Sequence, residues 1–307
     1  MPELPDIVVY IEALETRLVD QELEDIRIAS PFVLRSVDPA PKMLVGKKVR
    51  SIRRLGKQIV LAFDDEYFLD QYFLIIHLMV AGRLQWKGAR ARLPGKLGLA
   101  AFDFTSGTLI LTEAGSRKRA SLHFARGESG LEAFDRHALE VLNSGLDSFA
   151  ATLRRENHTL KRSLTDPRLF SGIGNAFSDE ILHHARLSPM KLTSRLSDEE
   201  VHQLWESTRL ILAEWISRLR LQTQGEFPSK VTAFRPEMAV HGRYGKPCPR
   251  CGAPVQRIVY AENECNYCAP CQTGGRLLAD RAISRLLRED WPRSLEEMEK
   301  HLEARRG

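Results

Sequence analysis

A chain of 307 residues with 43% hydrophobic content can bury one large or two ordinary cores. Its net charge of +5 and pI near 9.0 suit a nucleic-acid partner without requiring one. No run of about 18 apolar residues marks a membrane helix. The start also lacks the basic and apolar regions of a secretory signal, so a cytosolic setting with no membrane partner is expected.

The chain opens Met1-Pro2-Glu3-Leu4-Pro5-Asp6. Initiator methionine is usually removed before a small residue, which would leave the secondary amine of Pro2 at the terminus with the Glu3 carboxylate beside it. An α-amino group titrates near 8, far below lysine, so much of it is a neutral nucleophile at working pH. Amine and carboxylic acid together suit Schiff-base chemistry on an aldehyde-like sugar carbon. The plainer reading is an unstructured start with two stiff prolines. Behind it, Ile7, Tyr10, Ile11, Leu14 and Leu18 recur at helical spacing and predict one helix.

The signal then turns to β. Alternation predicts strands over 48–54, 58–63, 67–78 and 108–112, divided by Gly and Asp turns. The tip Leu55-Gly56-Lys57-Gln58 allows a tight hairpin that projects Lys57 amid Lys47, Lys48, Arg50, Arg53 and Arg54. Lys57 can hold a phosphate or move a proton; equally, the basic run can be an edge guarded against aggregation. A second turn, His77 to Leu84, offers an apolar wedge or plain core. The loop 113–119 carries Arg117, Lys118 and Arg119.

From Arg136 the pattern reads as helical, through Leu139, Val141, Leu142 and Leu146 and on to Arg155. Residues 160–164 run into the break Asp166-Pro167. Gly172 and Gly174 then form a turn before a helix starting at Asn175, whose N-terminal dipole and N–H groups suit a phosphate. Lys161 is placed to reach the same phosphate. Ser197-Asp198-Glu199-Glu200 is a capping-box start for a scaffold helix through Trp215.

All five cysteines lie between 248 and 271. Cys248-x2-Cys251 and Cys268-x2-Cys271, 16 residues apart, have the spacing of a closed four-cysteine zinc site, one structural Zn2+ per chain. A β-hairpin is predicted between them over 255–260 and 263–267. Cys265 is then a spare thiol in that hairpin. A helix is expected through Leu277, Leu278, Ile283, Leu286 and Leu287, then an exposed helical tail.

Taken together, PELPD at the start, the GK of 56–57, LTDPRLFSGIGNAFSDEIL at 164–182, HGRYGKPC at 241–248 and the four-cysteine finger resemble the formamidopyrimidine-DNA glycosylase and endonuclease VIII family. The resemblance implies an α+β architecture: an N-terminal helix with a β-sandwich (1–135), a helix–two-turn–helix domain (136–235), a zinc-finger hairpin (236–275) and a C-terminal helical extension (276–307). It implies a monomer that holds damaged double-stranded DNA between its domains and flips the damaged base out. Pro2 would attack C1′ and form a Schiff base, Glu3 would act as general acid or base, and Lys57 would contact the target phosphate and assist elimination. Asn175 and Lys161 would hold backbone phosphate. The strand would be cut by β-elimination.

Departures from the family pattern bear on what is excised. The void-filling methionine of the 77–84 turn becomes Val80. The partner loop offers Arg117 and Arg119 but no aromatic. The finger arginine that clamps the lesion's phosphates becomes Asn263, whose amide lacks a charged bidentate contact. That exchange argues against δ-elimination and ordinary 8-oxoguanine excision. Two other readings stand beside the enzyme: a catalytically weak damaged-DNA binder on the same scaffold, and an unrelated zinc-ribbon interaction protein.

Overall fold

The computed structural model describes the chain apart from residues 37, 65–70, 116, 229–230, 233, 261–262, 279–291 and 304–307. Contacts divide it into two compact units, one of residues 1–138 with 214–233 and one of 139–213 with 234–307. Residues 214–233, expected with the helical domain, therefore belong to the first unit. Among the described residues, no helix is long and apolar enough to cross a membrane.

The first unit begins with helix α1 (Leu4–Leu18). Its predicted stripe, Ile7, Tyr10, Ile11, Leu14 and Leu18, enters the main core. That core lies within two four-stranded antiparallel sheets. One has the order β1 (Leu23–Ile28), β6 (Gly98–Phe104), β7 (Gly107–Glu113), β5 (Gly82–Lys87). The other has the order β2 (Lys48–Leu55), β3 (Gln58–Asp64), β4 (Gln71–His77), β8 (Ser121–Arg126).

Alternation explains the second sheet. In β3 and β4, Ile59, Leu61, Leu74 and Ile76 enter the main core. Val60, Ala62, Phe73 and Ile75 point the other way, into a smaller cluster with Leu131 of α2 (Gly127–Glu132). Strands β1, β5, β6 and β8 were not read from the sequence. Every residue of β6 and β7 is buried, so β6 carries no polar–apolar alternation to betray it. The start of the strand expected over 67–78 falls partly outside the described residues; the described part is β4.

The second unit is helical, with α3 (Leu146–Arg154), α4 (Leu160–Thr165) and α5 (Asn175–His184). The helix expected from Arg136 does not begin there. Leu139 instead bridges the chain at Phe170, donating its N–H to Leu169 O (2.9 Å) and accepting from Ser171 N (3.0 Å). Val141–Asn143 forms only a short 3-10 turn, and Gly145 precedes the true helix start. Helix α6 (Asp198–Thr223) starts as expected, with Glu200 N donating to Ser197 Oγ (3.2 Å) and Ser197 N to Glu200 Oε2 (3.0 Å). The finger hairpin is β9 (Gln256–Tyr260) with β10 (Asn263–Tyr267), followed by α7 (Ala269–Thr273). The helix expected through Ile283, Leu286 and Leu287 lies outside the described residues; beyond them, α8 covers Leu295–Glu303.

Candidate nucleic-acid-processing site and metal centre

In the first unit the terminal residues are tied down rather than loose. Pro2 is buried, and Glu3 is 2% exposed at the N-terminus of α1, its N–H donating to Asp6 Oδ2 (2.9 Å). The terminal amine, on Met1 of the unprocessed chain, titrates below its ordinary value of 8.0. Burial is the main cause. Arg83 and Lys57 push the same way, while Glu3 and Asp6 oppose them. Glu3, Lys57 and Arg83 thus act on one amine.

Lys57 projects from a two-residue turn, and Arg83 lies at the start of β5. Leu55 pairs with Gln58, so Gly56 and Lys57 form a two-residue hairpin, and Gly56 takes φ +62°, a left-handed geometry that glycine adopts freely. The turn between β4 and β5 presents Val80, 54% exposed. It is tight because Gly82 donates to Leu78 O (2.9 Å), and a Cβ at Gly82 would sit 2.3 Å from that oxygen. Arg83 braces the turn from below through Gly82 O (2.6 Å), Val80 O (3.2 Å) and Val231 O (2.5 Å). Gly82 pairs with Glu113, so the Val80 turn and the loop bearing exposed Arg117 and Arg119 emerge side by side. That loop wraps the buried Glu113 carboxylate, which accepts from Arg119 N (2.8 Å) and Ala120 N (3.1 Å).

His77 and Arg83 gained no role from sequence spacing. His77 ends β4 opposite Gln58, one residue from Lys57. Its imidazole is pushed down to about 4, first by burial and then by Lys57, His123 and Arg136. It is therefore neutral at pH 7 and can donate or accept without adding charge. The linkage sign follows: an unfolded histidine protonates near 6.5, the folded one only near 4, so stability falls as pH drops through that window. The loss should be about 2 kcal/mol after allowance for partial solvent contact. Urea melts of wild type and His77→Gln at pH 7.0 and 4.5 test this; an equal pH loss in both proteins would refute it.

In the second unit, Asn175 stands at the start of α5, and its Nδ2 donates to Glu264 O of β10 (2.7 Å). Lys161 does not reach outward as expected. Its ammonium is buried and gives its hydrogens to Asn175 O (2.7 Å), Ser178 Oγ (2.8 Å) and Asp179 Oδ1 (2.6 Å). Helix α4 packs beside α5, which turns Lys161 inward. Lys161 thus lies beneath the start of α5, bonded to the Asn175 carbonyl. Asp179 Oδ2 also accepts from His241 Nδ1 (2.8 Å) and Asn266 N (3.1 Å). Glu180 accepts from the N–H groups of Ala239, Val240 and His241 (2.7–2.9 Å); burial still raises its pKa. The adjacent acids thereby pin the 239–241 segment and the hairpin to one helix, a role the 164–182 motif did not disclose.

The sulfurs of Cys248, Cys251, Cys268 and Cys271 lie within 4.8 Å of one another. A tetrahedron with metal–sulfur bonds of about 2.3 Å fits such a cluster. His183 Nε2 lies 3.3 Å from Cys248 Sγ, the kind of outer contact that orients a metal-binding thiolate. Cys265 lies buried in the hairpin, outside this group. Asn263 opens β10 opposite Tyr260, and its side chain lies outside the described atoms. Arg257, on β9, sits 4.2 Å over the Tyr244 ring and 3.3 Å from Glu264 Oε2.

Residues 1–122 match the formamidopyrimidine-DNA glycosylase N-terminal domain, and residues 139–224 match the formamidopyrimidine-DNA glycosylase H2TH domain. An uncharacterized formamidopyrimidine-DNA glycosylase-like protein of Mycobacterium tuberculosis is 37% identical over 149 residues, 48% of this chain and 92% of that protein. The formamidopyrimidine-DNA glycosylase of Bacillus cereus is 27% identical over 287 residues, 89% of this chain and 99% of the relative. Among solved structures, Lactococcus lactis Fpg with abasic-site DNA superposes with a TM-score of 0.76 at 28% identity, covering 88% of this chain and 99% of that one. The same protein with FAPY-dG DNA gives 0.77 at 27%, covering 88% and 100%.

Proposed function

The chain belongs to the formamidopyrimidine-DNA glycosylase family, and we propose that it removes oxidised or ring-opened bases from duplex DNA and then cuts the strand at the abasic site. The observation that carries this is the start of the chain, where Pro2 and Glu3 are buried and tied down at the head of α1 within the family's N-terminal domain. After loss of Met1, the Pro2 nitrogen attacks C1′ of the damaged nucleotide. The C1′–N bond to the base breaks, and the base departs with a proton. The C1′–O4′ bond then opens, O4′ taking a proton, to give an iminium that acidifies C2′; loss of a C2′ proton expels the 3′ phosphate in β-elimination. Glu3 exchanges protons at the sugar, and Lys57 holds the phosphate beside it. Val80 enters the space left by the flipped base, with Arg117 and Arg119 alongside. Asn175, set by Lys161, holds a neighbouring phosphate.

The metal of the four-cysteine centre is zinc in this reading, held by Cys248, Cys251, Cys268 and Cys271. Four thiolates close its coordination shell, so it supplies folding energy rather than chemistry. With an uncharged Asn263 on the hairpin, we infer that cutting stops at β-elimination.

Borohydride trapping on labelled duplexes tests the reading. An abasic site, 8-oxoguanine, a formamidopyrimidine and an oxidised pyrimidine form the panel. A covalent adduct on at least one damaged base, with a 3′ unsaturated aldehyde end in the unreduced reaction, is expected. A 3′ phosphate end would overturn the β-elimination limit. No adduct on any duplex, despite salt-sensitive binding, would favour the damaged-DNA binder instead.

A further inference from the structure

A finger of about forty residues is too small to bury a core of its own, and such modules usually owe their fold to the metal. This one has two apolar clusters. The first gathers Val240 and Val255 with Cys248, Cys268 and Cys271. The second runs along the hairpin, where Ile258, Cys265 and Tyr267 pack with Leu278, Leu295 and Met298 from the chain beyond the finger. Backbone bonds fasten that later chain in place. Leu277 N donates to Arg293 O (2.9 Å), Arg276 bridges Ser294, and Leu278 N donates to the Tyr267 hydroxyl (2.8 Å). Ser294 caps α8 by accepting from Glu297 N (3.2 Å), and the Glu297 carboxylate accepts from Arg293 N (2.6 Å). Met298 stands one turn after Leu295, so one face of the helix meets the hairpin while Glu296, Glu297 and Lys300 are outside.

About nine-tenths of this chain accounts for 99% of the Bacillus cereus protein and all of the Lactococcus lactis chain. The remaining tenth is the size of the segment after the finger.

We propose that residues 276–278 and 292–298 form a clasp that keeps the β9–β10 hairpin folded, and the Glu264 carbonyl seated on Asn175, when the cysteine site has lost its metal. The clasp's contacts come from the hairpin's side chains and from backbone groups, none of them a thiolate of the four-cysteine set. Metal release or thiol oxidation would then loosen the cysteine knuckles and leave the Asn175 contact standing. The inference does not depend on the reaction proposed above, only on the cysteine site holding a metal.

Amide exchange read by mass spectrometry on peptides of 256–267 tests it, using the full chain loaded with zinc and the same chain stripped by a chelator. Metal content is checked by atomic emission. Wild-type hairpin exchange should speed up less than about tenfold on stripping, whereas a Leu295→Asp/Met298→Asp variant should match wild type when loaded and exchange at least about tenfold faster when stripped. Should the charged pair prevent folding, Leu295→Ala is read for the same ordering. The clasp is overturned if stripped wild type loses protection as fully as the variant, or if the stripped variant stays as protected as wild type.

Discussion

Replacing Pro2 with glutamine should lower the yield of borohydride-trapped adduct by at least about a hundredfold, with duplex binding held within a few-fold. Initiator methionine stays before a large second residue, so the only terminal amine becomes that of Met1. Nitrogen 2 becomes a non-basic amide, and the surviving amine moves by one residue, about 3.8 Å. An attack that needs the nitrogen aligned on C1′ does not survive that displacement. Binding survives because the phosphate contacts proposed for Lys57 and Asn175, and the Arg117–Arg119 loop, are untouched. Trapping at wild-type yield would sink Pro2 as nucleophile and point to a lysine such as Lys57. The pH profile supplies a second readout. Only the neutral amine attacks, so wild-type trapping should rise with pH until that amine is fully deprotonated.

Asp179→Ala should cost roughly 3–5 kcal/mol and lower the melting temperature by on the order of 10 °C. The change removes the acceptor for Lys161 Nζ, His241 Nδ1 and Asn266 N at once. It leaves a buried ammonium with only neutral partners, Asn175 O and Ser178 Oγ. Most of the cost is that uncompensated charge, so adding Lys161→Met to Asp179→Ala should recover part of it, a coupling visible in a double-variant cycle. A melting temperature within about 2 °C of wild type would show that water reaches the cluster and that Lys161 is not locked beneath Asn175. Zinc content measured alongside separates loss of this cluster from loss of the metal.

Periodicity and punctuation carried much of the fold. The stripe of α1, the Gly56 hairpin, the Ser197 cap and the cysteine knuckles were all legible, because each is a local pattern whose cause lies within a few residues. Strand β6 was not, since its run Leu99-Ala100-Ala101-Phe102 is apolar throughout and shows no alternation. Leu139 was misread as helical because its extended pairing partner, Phe170, lies far along the chain.

The candidate site divides in the same way. Composition and order by themselves determined which residues are available: a proline beside a glutamate at positions 2 and 3, a lysine on a two-residue turn, and four thiols at metal spacing. Only the tertiary structure decided which way those side chains face and what charge surrounds them. It turned Lys161 inward onto Asp179, set Arg83 and Lys57 against the amine, left His77 neutral, and laid the chain after the finger along the hairpin. The physical reason is range. Covalent neighbours and turn geometry act within a few residues, whereas desolvation and Coulomb terms depend on what packs alongside from anywhere in the chain.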